Sequence, residues 1–146
     1  CPVNCDMIKK DGKVYVIELT GRSGATGIAE MVGIYYQLDY YEVILQTALG
    51  IPVTEKFAGK EPGIPNLTHT LMADRAGIVR QIINENPKAD DIVDLSFNIE
   101  PGDEVRPYQN GRDRIGQVIL KGETLEACEC RLEQILSGIR LVLEDE

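Results

Sequence analysis

The chain has 146 residues, 43% of them hydrophobic, and a formal charge of −9. That length suits one ordinary domain or two small ones. No stretch approaches the roughly 18 apolar residues that carry a helix across a bilayer, and no charged-then-apolar signal segment opens the sequence. The 15 basic residues are dispersed, so a polyanion such as DNA is repelled rather than steered. No nucleic-acid or membrane partner is expected, and a cytoplasmic protein is. The first residue is Cys1 rather than an initiator Met, and it leads directly into a strand-like segment. A domain rarely starts inside a sheet, so an upstream part of the same protein is expected to be missing.

In chain order, residues 3–9 and 13–19 read as two strands around the turn residues Asp11 and Gly12. Residues 20–27, TGRSGATG, carry three glycines and little bulk, which predicts a loop. Ile28 to Leu49 has helical periodicity, broken near Leu38 and Asp39, with Asp39 as the N-cap of a second helix that Gly50 and Pro52 end. Residues 51–66 hold three prolines and two glycines and read as a linker or crossing loop. Short strands follow at 67–73, 77–83, 92–99, 104–108 and 114–121. Thr124 then caps a helix with apolar positions Leu125, Cys128, Leu132, Ile135 and Ile139, and Leu141 to Leu143 make a last strand. The four cysteines, Cys1, Cys5, Cys128 and Cys130, are expected to be free thiols. Cys128 and Cys130 lie two apart on a helix and point in different directions. His69 reads as a surface or strand residue rather than a catalytic base.

The hairpin places one carboxylate in each arm, Asp6 and Glu18. An odd-length turn, such as three residues, puts both on one face, with Cβ atoms roughly 4.5–8 Å apart. A two-residue Asp-Gly turn puts them on opposite faces. Apolar residues occupy both faces of both arms, so the sequence is compatible with either. On one face, two like charges need compensation, and hard oxygen ligands of this kind suit Mg²⁺ together with substrate phosphates. Arg22 adds a planar donor for phosphate or carboxylate oxygens. Gly21, Gly24 and Gly27 permit close approach of the backbone to a ligand. The plainer alternative is a solvated hairpin followed by a flexible loop.

The segment VNCDMIKKDGKVYVIELTGRSG resembles the second half of an ATP-grasp catalytic domain. That family has an acid in one strand, a hairpin, then an acid followed by x-Asn-x-Arg. DYYEVILQTALG looks like the segment that closes such a domain. NIEPGDEVRPYQNGRDRIGQVILKGETLEACECRLEQILSGIRLVL is similar to the small C-terminal domain of carboxylate–amine ligases, including the L-amino-acid ligase group and, more distantly, biotin carboxylase. The resemblance implies an α+β fold: a hairpin and helices from the end of an ATP-grasp domain at 1–52, a linker at 53–66, and a small antiparallel sheet with one packed helix at 67–146.

The resemblance also implies site residues. Asp6 and Glu18 match the two Mg²⁺-binding acids. Thr20 stands where the family usually has Asn, a departure that weakens the second metal's coordination. Arg22 matches the catalytic arginine on the phosphoryl or acyl-phosphate oxygens, and Glu18 and Arg22 face ATP. The implied reaction is ATP-dependent activation of a carboxylate as an acyl phosphate, which an amine then attacks. The lysines, glycine-rich flap and hinge that hold ATP in this family precede the hairpin, so the chain is expected to be the C-terminal part of the enzyme and inactive alone. Expected partners are that missing N-terminal part, small-molecule carboxylate and amine substrates, and a second copy paired through the open edge at 3–9. The alternative is a non-catalytic interaction or dimerisation module that retains the two acids.

Overall fold

A computed structural model describes residues 2–59 and 63–144. Cys1 lies outside these residues; Cys5, Cys128 and Cys130 are free thiols, as expected. The chain divides into two units, Cys1–Gly63 and Ile64–Glu146.

The first unit opens with strands β1 (Asn4–Lys10) and β2 (Lys13–Thr20), paired antiparallel. Asp11 and Gly12 both have positive φ, 51° and 74°, as the primed two-residue turn that matches strand twist requires. Helices α1 (Ile28–Tyr36) and α2 (Tyr40–Ala48) follow. They break where expected: Gln37 is left-handed at φ 53°, and Asp39 accepts the Glu42 N–H at 3.0 Å as the N-cap of α2. Tyr41 Oη donates to the Glu30 carboxylate, fastening α2 to α1, and this bond raises the Tyr41 pKa. A short 3₁₀ turn, Thr54–Phe57, is held against α2 by Lys56–Glu42 at 3.0 Å and against the end of α1 by the Tyr36–Phe57 ring contact. Ala29 and Val43 are the buried apolar residues of this unit among those described. The hairpin leaves Val14, Val16, Ile17 and Leu19 exposed, the last two at 67% and 64%.

The second unit contains β3 (Asn66–Met72), β4 (Gly77–Asn84), β5 (Ile92–Phe97), β6 (Glu104–Val105), β7 (Arg114–Lys121), α3 (Leu125–Ser137) and β8 (Ile139–Leu143). These form two antiparallel three-stranded sheets, β3-β7-β5 and β6-β4-β8. The fold is therefore α+β, a hairpin and helices followed by small antiparallel sheets with one packed helix. Its core is Leu71, Val79, Val105, Ile115, Val118, Leu120, Ile135 and Leu143. The central strand β7 reads Val-Ile-Leu at 118–120, buried on both faces, because sheet partners flank it and packed layers cover it.

Thr124 accepts the Ala127 N–H at 3.1 Å and starts α3. Cys128 and Ile135 are buried while Cys130 is exposed, so the cysteines do separate across the helix. Burial first, then the charges of Asp91 and Glu129, push the Cys128 thiol up and keep it protonated. Two details differ from the sequence reading. Leu125 is exposed in the first turn, and Ile139 opens β8 rather than ending α3. The helix stops at Gly138, where Asn86 Nδ2 donates to Ile135 O at 3.0 Å, satisfying a carbonyl that a helix end would otherwise leave open. Strand β6 spans two residues instead of five. Pro107 has no N–H to donate, and beyond it Asp113 gathers the chain into a loop.

Asp113 accepts from Arg106 Nε at 2.7 Å and from the N–H groups of Gln109 and Asn110 at 3.0 and 2.9 Å. The Arg106 hydrogen bond, opposed by desolvation and assisted by the two backbone donors, holds the Asp113 carboxyl below its usual range. A carboxyl whose folded pKa is depressed contributes stability above its unfolded pKa of about 3.9 and loses it as pH falls through the folded value. Melting temperature measured between pH 7 and pH 2 should therefore fall more steeply below about pH 4 in the parent than in Asp113→Asn. Parallel curves would show that the loop contributes nothing to the acid response.

Candidate functional site

The register of the hairpin decides what its acids can do. From the turn outward, Lys10 faces Lys13, Lys9 faces Val14, Ile8 faces Tyr15 and Met7 faces Val16. The pairing then slips between Met7 and Asp6, and Asp6 faces Glu18, Cys5 faces Leu19 and Asn4 faces Thr20. Ile17 is left without a partner, a one-residue β-bulge. The turn is the two-residue kind that alone would separate the acids, yet the bulge restores what a three-residue turn would give. Directly opposed residues share a face with Cβ atoms about 4.5–5.5 Å apart. Asp6 and Glu18 therefore stand side by side, with Asn4 and Thr20 next along the same face.

Both carboxylates are exposed, while Asn4 and Thr20 are half-buried. Asn4 Nδ2 donates to Asp6 Oδ1 at 2.9 Å. The Thr20 hydroxyl oxygen is shielded from solvent and has no hydrogen-bond partner among the described residues, which is costly for a polar atom unless a ligand completes it. Arg22 lies two residues past the end of β2; its Nη1 donates to Ser23 O at 2.9 Å and the side chain is otherwise exposed. Gly24 lies under this face: a Cβ there would meet Asn4 Oδ1 at 2.8 Å and Ile28 Cδ1 at 2.5 Å. Gly27, at φ 80°, turns the loop into α1. The hairpin and the loop thus bring Asp6, Glu18 and Thr20 together, with Arg22 following in the same loop.

These donors fit a hard divalent cation: two carboxylates and an orphaned hydroxyl, with the sulfur of Cys5 on the other face of the strand. No group of three or more His, Cys, Asp or Glu capable of holding a metal occurs among the described residues. A cation here would therefore take its remaining oxygens from neutral groups, water or a substrate phosphate. Asn4 was not among the residues expected from sequence. Its signal was the spacing Asn4-x-Asp6, which keeps two side chains on one face of a strand. His69 lies in β3 opposite Val118, away from these residues in the chain.

A model of the family described as L-amino acid ligase C-terminal domain 2 matches residues 69–144. Among solved structures, phosphoribosylglycinamide synthetase from Anaerococcus prevotii is 39% identical with a TM-score of 0.89, over 97% of this chain and 37% of that one. The L-amino acid ligase from Bacillus licheniformis is 18% identical, TM-score 0.82, over 98% and 36%. N5-carboxyaminoimidazole ribonucleotide synthetase from Thermotoga maritima is 16% identical, TM-score 0.63, over 97% and 37%. The last two, at such identities, speak for the fold alone. No curated protein matches. The chain spans little more than a third of the length of these solved relatives. The fold is that of the C-terminal region of ATP-grasp ligases. Within that class, the chain belongs to the L-amino acid ligase C-terminal domain 2 family.

Proposed function

We propose that the protein carrying this chain is an ATP-dependent carboxylate–amine ligase, and that residues 1–52 are the end of its ATP-grasp domain, 53–66 a linker and 67–146 its small C-terminal domain. The observation that carries this reading is the pairing of Asp6 with Glu18 across the bulge, in the segment that resembles the ATP-grasp metal motif. In the reaction, a substrate carboxylate oxygen bonds to the γ-phosphorus of ATP and ADP leaves. The amine nitrogen then bonds to the acyl carbon, phosphate leaves, and the amine gives up its proton. Mg²⁺, when bound, supplies charge neutralisation on the phosphate oxygens. Asp6, Glu18 and Thr20 hold it with their oxygens. Arg22, released from Ser23 O, turns its guanidinium fork onto phosphoryl or acyl-phosphate oxygens. Glu18 and Arg22 together border the nucleotide. This is catalysis by positioning and electrostatics.

The enzyme acts in the cytoplasm on small-molecule substrates, and an upstream part of the same protein supplies the groups that hold adenine and the remaining phosphates. That part adds strands to the hairpin, whose two-stranded sheet has an open edge on each side. The assay is ADP release by the full-length protein across a panel of carboxylates and amines. Release that needs Mg²⁺, a carboxylate and an amine together is expected. ADP release indifferent to both substrates, or none at all, counts against the reading. A second reading, a non-catalytic interaction or homodimerisation module, draws on the exposed apolar residues of the hairpin and on Thr20 in place of Asn. It predicts self-association with no Mg²⁺–nucleotide binding in the same protein.

A further inference from the structure

We infer that Asn4 is a positioning residue for this site: it fixes the Asp6 carboxylate for a divalent cation and couples it to the loop that carries Arg22. The inference rests on the Mg²⁺ reading above. Three observations meet at this side chain. Register puts Asn4 opposite Thr20 and beside Asp6 on the face that holds Glu18. Its amide nitrogen donates to Asp6 Oδ1 at 2.9 Å, which occupies one lobe of that carboxylate and leaves Oδ2 open. Its amide oxygen rests over Gly24, at the spot where a Cβ would come within 2.8 Å.

An exposed aspartate on a two-stranded sheet samples several rotamers, and a cation bound by few protein ligands gains from having each one fixed beforehand. Asn4 provides that restraint from a half-buried position, as hydrogen-bond partners of metal ligands commonly do. The contact with Gly24 adds a direction. Gly24 follows Arg22 by two residues in a loop whose backbone is otherwise tied by few hydrogen bonds. The same amide that orients Asp6 therefore packs closely against that loop. Glycine at 24 is what leaves room for the amide: any side chain there displaces Asn4, Ile28 or both.

The test uses the full-length protein, with Mn²⁺ as the probe in the presence of a saturating non-hydrolysable ATP analogue. Bound and free Mn²⁺ are separated by electron paramagnetic resonance, and thermal melting serves as the folding control. Asn4→Ala is expected to weaken Mn²⁺ binding by about 10–100-fold, the range seen when partners of metal ligands are removed, with little change in melting temperature. Gly24→Ala, which keeps the amide but pushes it away, should weaken it in the same direction and carries the test if Asn4→Ala melts too low. In the background of Asp6→Asn, Asn4→Ala should cost nothing more, since it acts through Asp6. Unchanged Mn²⁺ affinity in both Asn4→Ala and Gly24→Ala overturns the inference. A full additive loss on top of Asp6→Asn also overturns it, because Asn4 would then act independently of that carboxylate. If Asp6→Asn itself leaves Mn²⁺ binding intact, the metal reading fails and this inference falls with it, an outcome separable from the other two.

Discussion

Replacing Glu18 with glutamine is expected to lower turnover on the order of 10²–10³-fold. A bound cation contributes several kcal/mol of charge stabilisation, and each tenfold in rate corresponds to about 1.4 kcal/mol. The substitution keeps the shape of the side chain and its place opposite Asp6, so the hairpin has no reason to rearrange. It removes one of the two negative charges and relieves their mutual repulsion, so melting temperature should hold or rise slightly. Opposite signs for activity and stability are the mark of a group kept for chemistry. Steady-state kinetics at increasing Mg²⁺, read beside the melting curve, check this. Turnover within threefold of the parent would show that the carboxylate is ornamental.

The second large effect concerns Gly116→Ala in the second unit. Alanine for glycine inside a strand ordinarily stabilises by about 0.5–1 kcal/mol, because glycine is the more flexible residue in the unfolded chain. Here the sign reverses. Gly116 lies on the central strand β7, between Leu71 of β3 and Phe97 of β5. A Cβ there would stand 2.3 Å from Ser96 O and 3.1 Å from Phe97 Cα. Both are backbone atoms of the neighbouring strand and cannot swing aside as a side-chain tip can, so β5 must move away from β7. Overpacking of this kind costs about 3 kcal/mol, and melting of a unit this size should fall by roughly 12–24 °C. Denaturant unfolding with a signal from the β7 amides measures it. An unchanged midpoint would mean that β5 pairs with β7 more loosely than the register implies.

Sequence chemistry located what is local. Asp11-Gly12 forms the hairpin turn, Asp39 and Thr124 cap the helices proposed for them, and the strand expected at 114–121 is β7. Each of these depends on residues within a few positions of one another. Partnerships between distant segments were not visible. Nothing in the strand sequences specifies that β7 pairs with β3 and β5 while β4 pairs with β6 and β8, because that order follows from how whole layers pack. The acids fall between these cases. Their presence, and the likeness that gave them meaning, could be read, but their common face could not. It depends on one slipped residue, Ile17, in a strand where apolar side chains point both ways. Asn4 escaped for the same reason, since its place opposite Thr20 appears only once the slip is known.

That slip also bears on how the hairpin can be rebuilt. A two-residue turn plus one bulged residue advances the chain by the same count as a three-residue turn with straight strands, so both bring position 6 opposite position 18. Turn and bulge are thus interchangeable as a pair but not singly. Widening the turn to residues 11–13 without lengthening the chain while Ile17 stays bulged, or regularising β2 while keeping the tight turn, would trade Glu18 for its neighbour opposite Asp6. Residues 11–17, which carry turn and bulge together, are a segment whose length alone keeps the acids aligned.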